Sequence, residues 1–317
     1  MDRVQTHPQS IKTITFPDED LLAAVEPIPE GITATVWDFR SEPEGMALDE
    51  IDAVILPYLN AGEILGELCR AKNLKLVQTQ STGVDGVRES VGEGVSIASA
   101  AGVHAAATAE LAIGLILASL RGIDRAARDQ LHAKWRHERR MSLADRKVLL
   151  VGVGGIGQEI AKRLEPFEVE LTRVGNTARD DEVGHVHDTG QLVELARAHE
   201  VLVVITPLTE STRHLIDSRV LAALPDGALV VNVARGPVVD CEALTAEVVS
   251  GRLNCAVDVF DPEPIPHAHP LWRAENALIT PHIGGNTTAF HPRMVRLLRA
   301  QLQALANGTD LCNVMRR

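Results

Sequence analysis

The chain has 317 residues, a length typical of two domains, and 45% of them are hydrophobic, which suffices for packed cores. Its formal net charge of −12 argues against nucleic acid or an acidic membrane surface as a partner, and we expect no membrane span. The four cysteines are scattered without a C-x-x-C pair, and the first sixteen residues lack the pattern of a secretory signal. We therefore expect a cytoplasmic protein with reduced, mostly buried thiols and no metal site.

The first hundred residues predict strands that alternate with helices. Strands are predicted at 11–16, 33–37, 53–56 and 74–79, with a helix at 61–71. This alternation is typical of a doubly wound parallel sheet. The loop 80–86 follows the carboxyl end of a strand, where ligands bind in open α/β sheets, although a plain turn is the more common role of such a loop.

Two helices of different composition are predicted next. Residues 105–120 form an apolar helix rich in small residues, which indicates close packing within a core or between subunits. Residues 121–135 are predicted to form a charged helix and arm, with a solvated basic face.

A glycine-rich loop at 152–157 is the strongest motif of the chain. It follows four apolar residues typical of a buried parallel strand and precedes a helical pattern. Gly152, Gly154 and Gly157 have the G-x-G-x-x-G spacing, which permits a tight turn, close approach of the backbone to a pyrophosphate, and close helix packing. The helix N-terminus that follows, at Gly155 and Ile156, favours phosphate, so the loop predicts a dinucleotide site.

The alternation of strands and helices continues to residue 279. Strands are predicted at 147–151, 168–174, 201–205, 228–232, 254–258 and 277–279. A last helix at 289–306 has one apolar stripe and is predicted to pack on the first domain. The expected domains are therefore 1–100 with 287–317, and 101–286.

Three later stretches each place one ionisable residue just after a strand. They are 232–240 with Arg235, 258–264 with Glu263, and 280–287 with His282. Singly, a surface ion pair, a loop charge and a structural histidine are the more common interpretations. Jointly, an arginine, a glutamate and a histidine at one sheet edge favour a proton-transfer set.

These motifs, in this order, resemble those of the D-isomer-specific 2-hydroxyacid dehydrogenases. The matching stretches are 152–157, 206–209, 232–240, 258–264, 269–272 and 280–285. The resemblance implies an α/β fold of two doubly wound parallel-sheet domains, one a Rossmann dinucleotide-binding domain and one a smaller flavodoxin-like substrate domain. It also implies a homodimer that associates through the helix at 105–120.

The resemblance further implies the site residues. Arg235, Glu263 and His282 would be catalytic, and Thr82, Gly83 and Val84 would bind the substrate carboxylate through backbone N–H groups. Arg235 would grip the carboxylate and polarise the carbonyl, His282 would deliver the proton, and Glu263 would favour the imidazolium. The cofactor would also contact Thr206, Pro207, Ala234, Asp258, His282 and Gly284. Tyr58 follows a strand end, where a pocket wall and a structural loop are equally good interpretations.

The end of the second Rossmann strand departs from the common NAD pattern. An acid normally stands there to bind the ribose 2′-hydroxyl, but by alignment with the family this chain has Gly175, followed by Asn176, Thr177 and Arg179. Arg173 or Arg179 would then bind a 2′-phosphate, so we expect NADP to be preferred, with NAD also possible. The alternative is a solvated loop in which Asp180 reaches back to an NAD ribose.

The expected activity is hydride transfer between NAD(P)H and a 2-oxo acid or D-2-hydroxy acid, glyoxylate- or hydroxypyruvate-like or larger. A dinucleotide-sensing interaction protein of the same fold is one alternative. A formate- or phosphite-type dehydrogenase is the other, although the similar formate enzymes carry glutamine where Glu263 stands.

Overall fold

The computed structural model describes residues 11–315. Residues 1–10, part of the segment predicted to lack a secretory signal, lie outside the described residues, as do 316–317. The chain divides into two compact units, one of Met1–His104 with Thr288–Arg317 and one of Ala105–Thr287. Each unit contains one sheet, and most of its strands alternate along the chain with helices. Both units are therefore α/β, which confirms the predicted fold class.

The first unit contains a five-stranded parallel sheet in the order β2-β1-β3-β4-β5. Its strands are β1 Thr13–Phe16, β2 Thr33–Val36, β3 Ala53–Ile55, β4 Leu76–Gln78 and β5 Ser96–Ala98. Its α-helices are α1 Glu19–Val25, α2 Ala61–Ile64, α3 Val87–Ser90 and α10 Phe290–Asn307.

Two details of this unit differ from the predictions. The expected helix at 61–71 is α-helical only over α2 and continues as a 3₁₀-helix at Leu65–Arg70. Gly62 and Gly66, which are poor helix formers, interrupt the apolar spacing there. Strand β5 was not predicted, because it has three residues and no alternation long enough to recognise.

Helix α10 belongs to the same unit as the first strands. Its apolar stripe of Met294, Leu298, Leu302 and Leu305 is buried in one cluster with residues of β1, among them Phe16. The prediction that the last helix packs on the first domain is therefore confirmed, and this unit is built from both parts of the chain.

The second unit contains an eight-stranded sheet in the order β13-β12-β11-β10-β6-β7-β9-β8. Its strands are β6 Lys147–Val151, β7 Glu170–Gly175, β8 Arg179–Asp181, β9 Gly184–Asp188, β10 Val201–Val204, β11 Leu229–Asn232, β12 Asn254–Val257 and β13 Ala277–Ile279. Its α-helices are α4 Ala105–Arg121, α5 Ile123–Gln130, α6 Gly155–Leu164, α7 Leu192–Ala196, α8 Ser218–Ala223 and α9 Cys241–Val249.

The central strands of this sheet are buried on both faces. β10 and β11 are continuous runs of buried residues that pair in parallel with β6 and β12, and two apolar clusters cover the sheet. Near-continuous apolar strands are what such a doubly covered sheet requires. The carboxyl ends of these strands therefore lie along one edge, and the loops that follow them share that edge.

The hairpin of β8 and β9 was not predicted. Its strands pair antiparallel, and β9 adds in parallel to β7. β8 consists of exposed charged residues, Arg179, Asp180 and Asp181, so it lacks the apolar pattern on which strand prediction depends. Helix α5 is also shorter than the predicted charged helix and arm at 121–135.

Among residues 11–315, no single helix is long and apolar enough to cross a membrane. Helices α4 and α5 meet the length and composition criteria only as a pair, and they are bent by 68° at their junction. The four cysteines are not paired with one another. The expectation of mostly buried thiols is wrong for Cys69 and Cys312, which are exposed, because Cys69 lies on a short surface 3₁₀-helix and Cys312 in the loop after α10.

Candidate active site

The glycine loop between β6 and α6 forms a turn that only glycine permits at two positions. Gly152 has φ +115°, and a Cβ atom there would lie 2.5 Å from the carbonyl oxygen of Ile205. A Cβ atom on Gly157 would lie 2.0 Å from the carbonyl oxygen of Gly152. The strand, the turn and the helix are thus held in contact, as the dinucleotide motif requires.

The same loop leaves an open face at the start of α6. Gly154 and Gly155 are exposed, and a Cβ atom on either would meet nothing within 4 Å. Thr206 follows the neighbouring strand β10, and its Oγ1 is buried without a hydrogen-bond partner in the described chain. A turn then begins at Pro207, whose carbonyl accepts from the Thr212 hydroxyl at 2.6 Å. An open backbone cradle at a helix N-terminus beside an orphaned hydroxyl fits a bound dinucleotide.

Arg235 lies in the loop after β11, which Asn232 holds from both sides. The buried amide of Asn232 accepts from the Ala234 N–H at 3.0 Å and donates to the Arg235 carbonyl at 3.1 Å. The Arg235 guanidinium donates to the Ala234 carbonyl at 2.7 Å. Asn232 was missed as a functional residue, although a polar side chain at the end of an apolar strand was the available signal.

The neighbouring loop, after β12, lies directly against the Arg235 loop. A Cβ atom on Gly236 would lie 1.9 Å from the carbonyl oxygen of Phe260, so only glycine permits this approach. Within the second loop, the Phe260 N–H donates to Oε1 of Glu263 at 3.0 Å. This bond fixes one carboxylate oxygen and leaves the other, Oε2, for the next residue of the site.

His282 completes the cluster from the loop after β13. Its Nδ1 lies 2.8 Å from Oε2 of Glu263, and both side chains are partly exposed. The hydrogen bond that the His282 ring donates to Glu263 raises the pKa of His282 above its usual value, against the opposing effects of burial and the charge of Arg235. Burial disfavours the charged form of Glu263, but the hydrogen bonds from His282 and Phe260 and the charge of Arg235 hold its pKa below the usual value. Both shifts therefore favour the charged forms of the pair, carboxylate and imidazolium.

Asp258 holds the His282 loop in place. Its buried carboxylate accepts from the Thr280 hydroxyl at 2.6 Å, from the Ile283 N–H at 2.9 Å and from the Gly284 N–H at 2.8 Å. The His282 N–H donates to the Asp258 carbonyl at 2.9 Å, and His282 adopts φ +52°, in the left-handed region. A strained residue persists only where surrounding contacts fix it, and Asp258 supplies those contacts.

The end of β7 contains the predicted selectivity residues. Gly175 is buried, and a Cβ atom there would lie 3.3 Å from Nη1 of Arg179. Arg179 is exposed and donates to the Thr177 carbonyl at 3.2 Å, while Asn176 and Thr177 are also exposed. The guanidinium of Arg179 thus lies beside Gly175 at the end of β7.

The other expectations for this segment need correction. Arg173 does not offer its charge to a cofactor, because it is buried and binds both carboxylate oxygens of Asp181, at 2.7 and 3.0 Å. That pair lowers the pKa of Asp181 to about 2. Asp180 does not reach back along β7; its carboxylate lies 2.8 Å from Nδ1 of His185 in the hairpin.

The predicted substrate residues Tyr58, Thr82, Gly83 and Val84 lie in the other unit. The loop that contains the last three follows β4 and is held by a Ser81 hydroxyl that donates to the Gly83 carbonyl at 2.6 Å. Tyr58 follows β3 and is half-buried. Both segments lie at the carboxyl edge of the five-stranded sheet, where ligands bind in such folds.

Comparison with known proteins identifies the family of the chain. Residues 113–284 match the family model described as D-isomer specific 2-hydroxyacid dehydrogenase, NAD binding domain. The chain belongs to the D-isomer specific 2-hydroxyacid dehydrogenase family.

Relatives of known sequence and structure extend this family match. A glyoxylate/hydroxypyruvate reductase A of Arabidopsis thaliana is 34% identical over 246 residues, which cover 75% of this chain and 77% of that protein. The crystal structure of a D-isomer specific 2-hydroxyacid dehydrogenase from Xanthobacter autotrophicus, in complex with NADPH and MES, has a TM-score of 0.81 at 26% identity, and covers 96% of this chain and 98% of that one. A second crystal structure is that of an NADPH-dependent glyoxylate/hydroxypyruvate reductase from Sinorhizobium meliloti, in complex with NADP and malonate. It has a TM-score of 0.78 at 26% identity and covers 96% of this chain and 99% of that one.

The activity of the chain follows from its family. It is an NAD(P)-dependent 2-hydroxyacid dehydrogenase, an oxidoreductase with an NAD(P)-binding domain. In this chain, the loops after β11, β12 and β13 contain the ionisable cluster, and the loop after β6 has the open backbone face.

Proposed function

We propose that this dehydrogenase reduces 2-oxo acids with NADPH, using His282 as the proton donor. The observation that supports this role is the 2.8 Å hydrogen bond between His282 Nδ1 and Glu263, in a cluster that also contains the Arg235 loop. Several relatives are named as glyoxylate or hydroxypyruvate reductases. Glyoxylate and hydroxypyruvate are therefore the first substrates to test.

The three ionisable side chains divide the work of the reaction. When bound, NAD(P)H supplies the hydride for the carbonyl carbon. His282, whose pKa Glu263 raises, holds a proton on Nε2 and gives it to the carbonyl oxygen as charge develops there. Arg235 offers a planar fork of donors that binds the substrate carboxylate and polarises the adjacent carbonyl. In the reverse direction, neutral His282 is the base.

The backbone N–H groups of Thr82, Gly83 and Val84 bind the substrate carboxylate in this proposal, and Tyr58 forms a wall of the pocket. The cofactor would be held at its phosphates by the loop from Gly152 to Gly157 and by Thr206 and Pro207. At its nicotinamide end the contacts would come from Ala234, Asp258, His282 and Gly284.

We further propose that NADPH is preferred over NADH. Gly175 leaves no carboxylate at the end of β7 to repel a 2′-phosphate, and Arg179 lies exposed beside it. Asn176 and Thr177 add hydrogen-bonding groups on the same turn. Charge-assisted hydrogen bonds of this kind contribute about 1.5–3 kcal/mol, less where the pair is exposed.

We also propose that the protein is a homodimer and that it is cytoplasmic. Support comes from large apolar side chains exposed on and after α5, with Leu131 82% and Trp135 96% exposed. The mass in solution, measured by light scattering, tests it. The unpaired cysteines support a reducing compartment.

The deciding experiment is a screen of 2-oxo acids with NADPH and NADH, with D-2-hydroxy acids assayed in reverse. We expect turnover of at least glyoxylate or hydroxypyruvate, with a higher kcat/KM for NADPH. Tight cofactor binding without turnover of any 2-oxo acid would contradict the proposal and favour a dinucleotide sensor. Oxidation of formate or phosphite alone would contradict it as well.

A further inference from the structure

Three rings form a cluster in the first unit that the sequence did not reveal. The centroids of Tyr58 and Phe290 lie 4.1 Å apart, those of His104 and Phe290 5.2 Å, and those of Tyr58 and His104 5.5 Å. The planes are inclined to one another by only 11–26°. Near-parallel rings at these separations attract one another and also offer a flat surface to a further ring.

This concentration of rings is unusual for the chain. Only 3% of its residues are Phe, Trp or Tyr, and Tyr58 is the single tyrosine. The core beneath β1 and α10 is built mainly from aliphatic side chains. Tyr58 and Phe290 are only half-buried, whereas His104 is 6% exposed. The ring cluster, defined as Tyr58, His104 and Phe290, therefore lies at the margin of the core, and two of its three residues are partly exposed.

Gln80 ties the ring cluster to the carboxylate-binding loop proposed above. Its carbonyl oxygen lies 2.7 Å from Nε2 of His104, and because a carbonyl only accepts, this nitrogen carries the hydrogen. The Gln80 side chain donates to the Leu56 carbonyl at 2.9 Å, which anchors the segment before Tyr58. The next residue along the chain, Ser81, accepts from the Ala100 N–H at 2.9 Å. The segments that contain Tyr58, Thr82 and His104 are thus fixed to one another at one sheet edge.

We propose that the ring cluster is the subsite for the substrate side chain, and that the preferred substrates are 2-oxo acids with an aryl group on C3. This inference rests on the proposed function, in which Thr82, Gly83 and Val84 bind the carboxylate. An arylpyruvate has its ring separated from its carboxylate by a short two-carbon link. The carboxylate would lie on the loop after β4 while the aryl ring stacks on Tyr58 or Phe290.

The test compares phenylpyruvate with glyoxylate by kcat/KM, in wild type and in variants. Wild type should prefer phenylpyruvate. Tyr58→Leu and Phe290→Leu should each lower the phenylpyruvate-to-glyoxylate ratio by about 3- to 10-fold, since each removes a stacking partner. Tyr58→Phe keeps the ring and should keep the ratio. Thermal unfolding identifies any variant that is not folded, and the half-exposed Tyr58 is the more tolerant position.

Phe39→Leu is the matched control. The ring of Phe39 packs against that of Trp37 in the same unit, with the centroids 4.5 Å apart, but Phe39 is only 3% exposed, so its loss should reduce stability and leave the ratio unchanged. If wild type reduces glyoxylate or hydroxypyruvate but not phenylpyruvate, or if the ratio survives Tyr58→Leu, the subsite is wrong while the reductase stands. If no 2-oxo acid is reduced, both proposals are wrong.

Discussion

The charged side chains at the two ends of the eight-stranded sheet lie in different environments. At the end formed by β11, β12 and β13, the loops that contain Arg235, Glu263 and His282 are fixed by hydrogen bonds. Asn232 and the Phe260 N–H donate in the first two loops, and the Asp258 carboxylate accepts in the third. At the end formed by β7, β8 and β9, one arginine is buried in an ion pair and the other is exposed. Arg173 forms an ion pair with Asp181, whereas Arg179 lies on the surface beside Gly175.

This difference predicts how each end responds to substitution. A side chain that is fixed by several hydrogen bonds, in a site where charge develops in the transition state, has a large effect on kcat when it is substituted. An exposed guanidinium binds a phosphate in high dielectric, so its effect is smaller and weakens with salt. We therefore expect large changes in kcat at the first end and changes in cofactor selectivity at the second.

The largest effect expected is that of His282→Asn. Asparagine cannot deliver a proton, while the glycine loop that binds the cofactor is untouched, so kcat should fall by about 10²–10⁴-fold with nearly normal cofactor affinity. Steady-state kinetics and cofactor titration measure the two quantities. His185→Asn is the control at the other end of the sheet and should leave kcat unchanged. Near-full kcat in the His282 variant would remove this residue from the proton step.

Arg235→Lys should have the next largest effect. Lysine keeps the charge but cannot reproduce the bidentate fork, so KM should rise and kcat should fall together. The loss in kcat/KM should be about 10- to 100-fold, the size of one or two charge-assisted hydrogen bonds. A lysine variant with the kinetics of wild type would show that the fork is not used.

Cofactor selectivity should change by a smaller factor. Arg179→Ala should lower kcat/KM for NADPH about 10-fold relative to kcat/KM for NADH. In wild type, the preference for NADPH over NADH should weaken as ionic strength rises. Gly175→Asp should act in the same direction, because its carboxylate would stand beside Arg179 and repel a 2′-phosphate.

Asp180→Asn provides the matched control for this comparison. Asp180 lies on the same short strand as Arg179 but pairs with His185, so its loss should leave the cofactor ratio unchanged. A preference for NADH in wild type, lost in Asp180→Asn, would instead assign the ribose contact to Asp180. In that case the two ends of the sheet would not differ in the way proposed here.

The sequence predicted the second unit well where local patterns are strong. The glycine loop, the buried strands and the loops after β11, β12 and β13 each have a local signature of apolar runs followed by glycine, proline or charge. These features suffice for the fold class and for the family. The geometry agrees locally, because Gly152, Gly157 and Gly236 each stand where a Cβ atom would collide with backbone.

The remaining features depend on contacts between residues distant in the chain. Nothing local distinguishes Arg173 from Arg179, since only the fold brings Asp181 onto the first of them. The hairpin of β8 and β9 is made of exposed charges, and its pairing comes from β7 rather than from its own pattern. The ring cluster combines residues 58, 104 and 290, which no periodicity connects.

The pH dependence of the reaction tests the fixed end of the sheet most finely, since it moves a pKa rather than removing a group. Glu263 raises the pKa of His282, and reduction needs the protonated ring, so reduction should persist to higher pH than an unperturbed imidazole would allow and decline as pH rises through that raised pKa. Oxidation of the hydroxy acid needs the neutral ring and should rise over the same interval. In Glu263→Gln the carboxylate is gone, whereas burial and the charge of Arg235, which both lower the pKa of His282, remain. The reductase limb should then move to lower pH, as measured by kcat/KM against pH in both directions. A limb that stays in place in this variant would mean that Glu263 positions the ring without setting its charge.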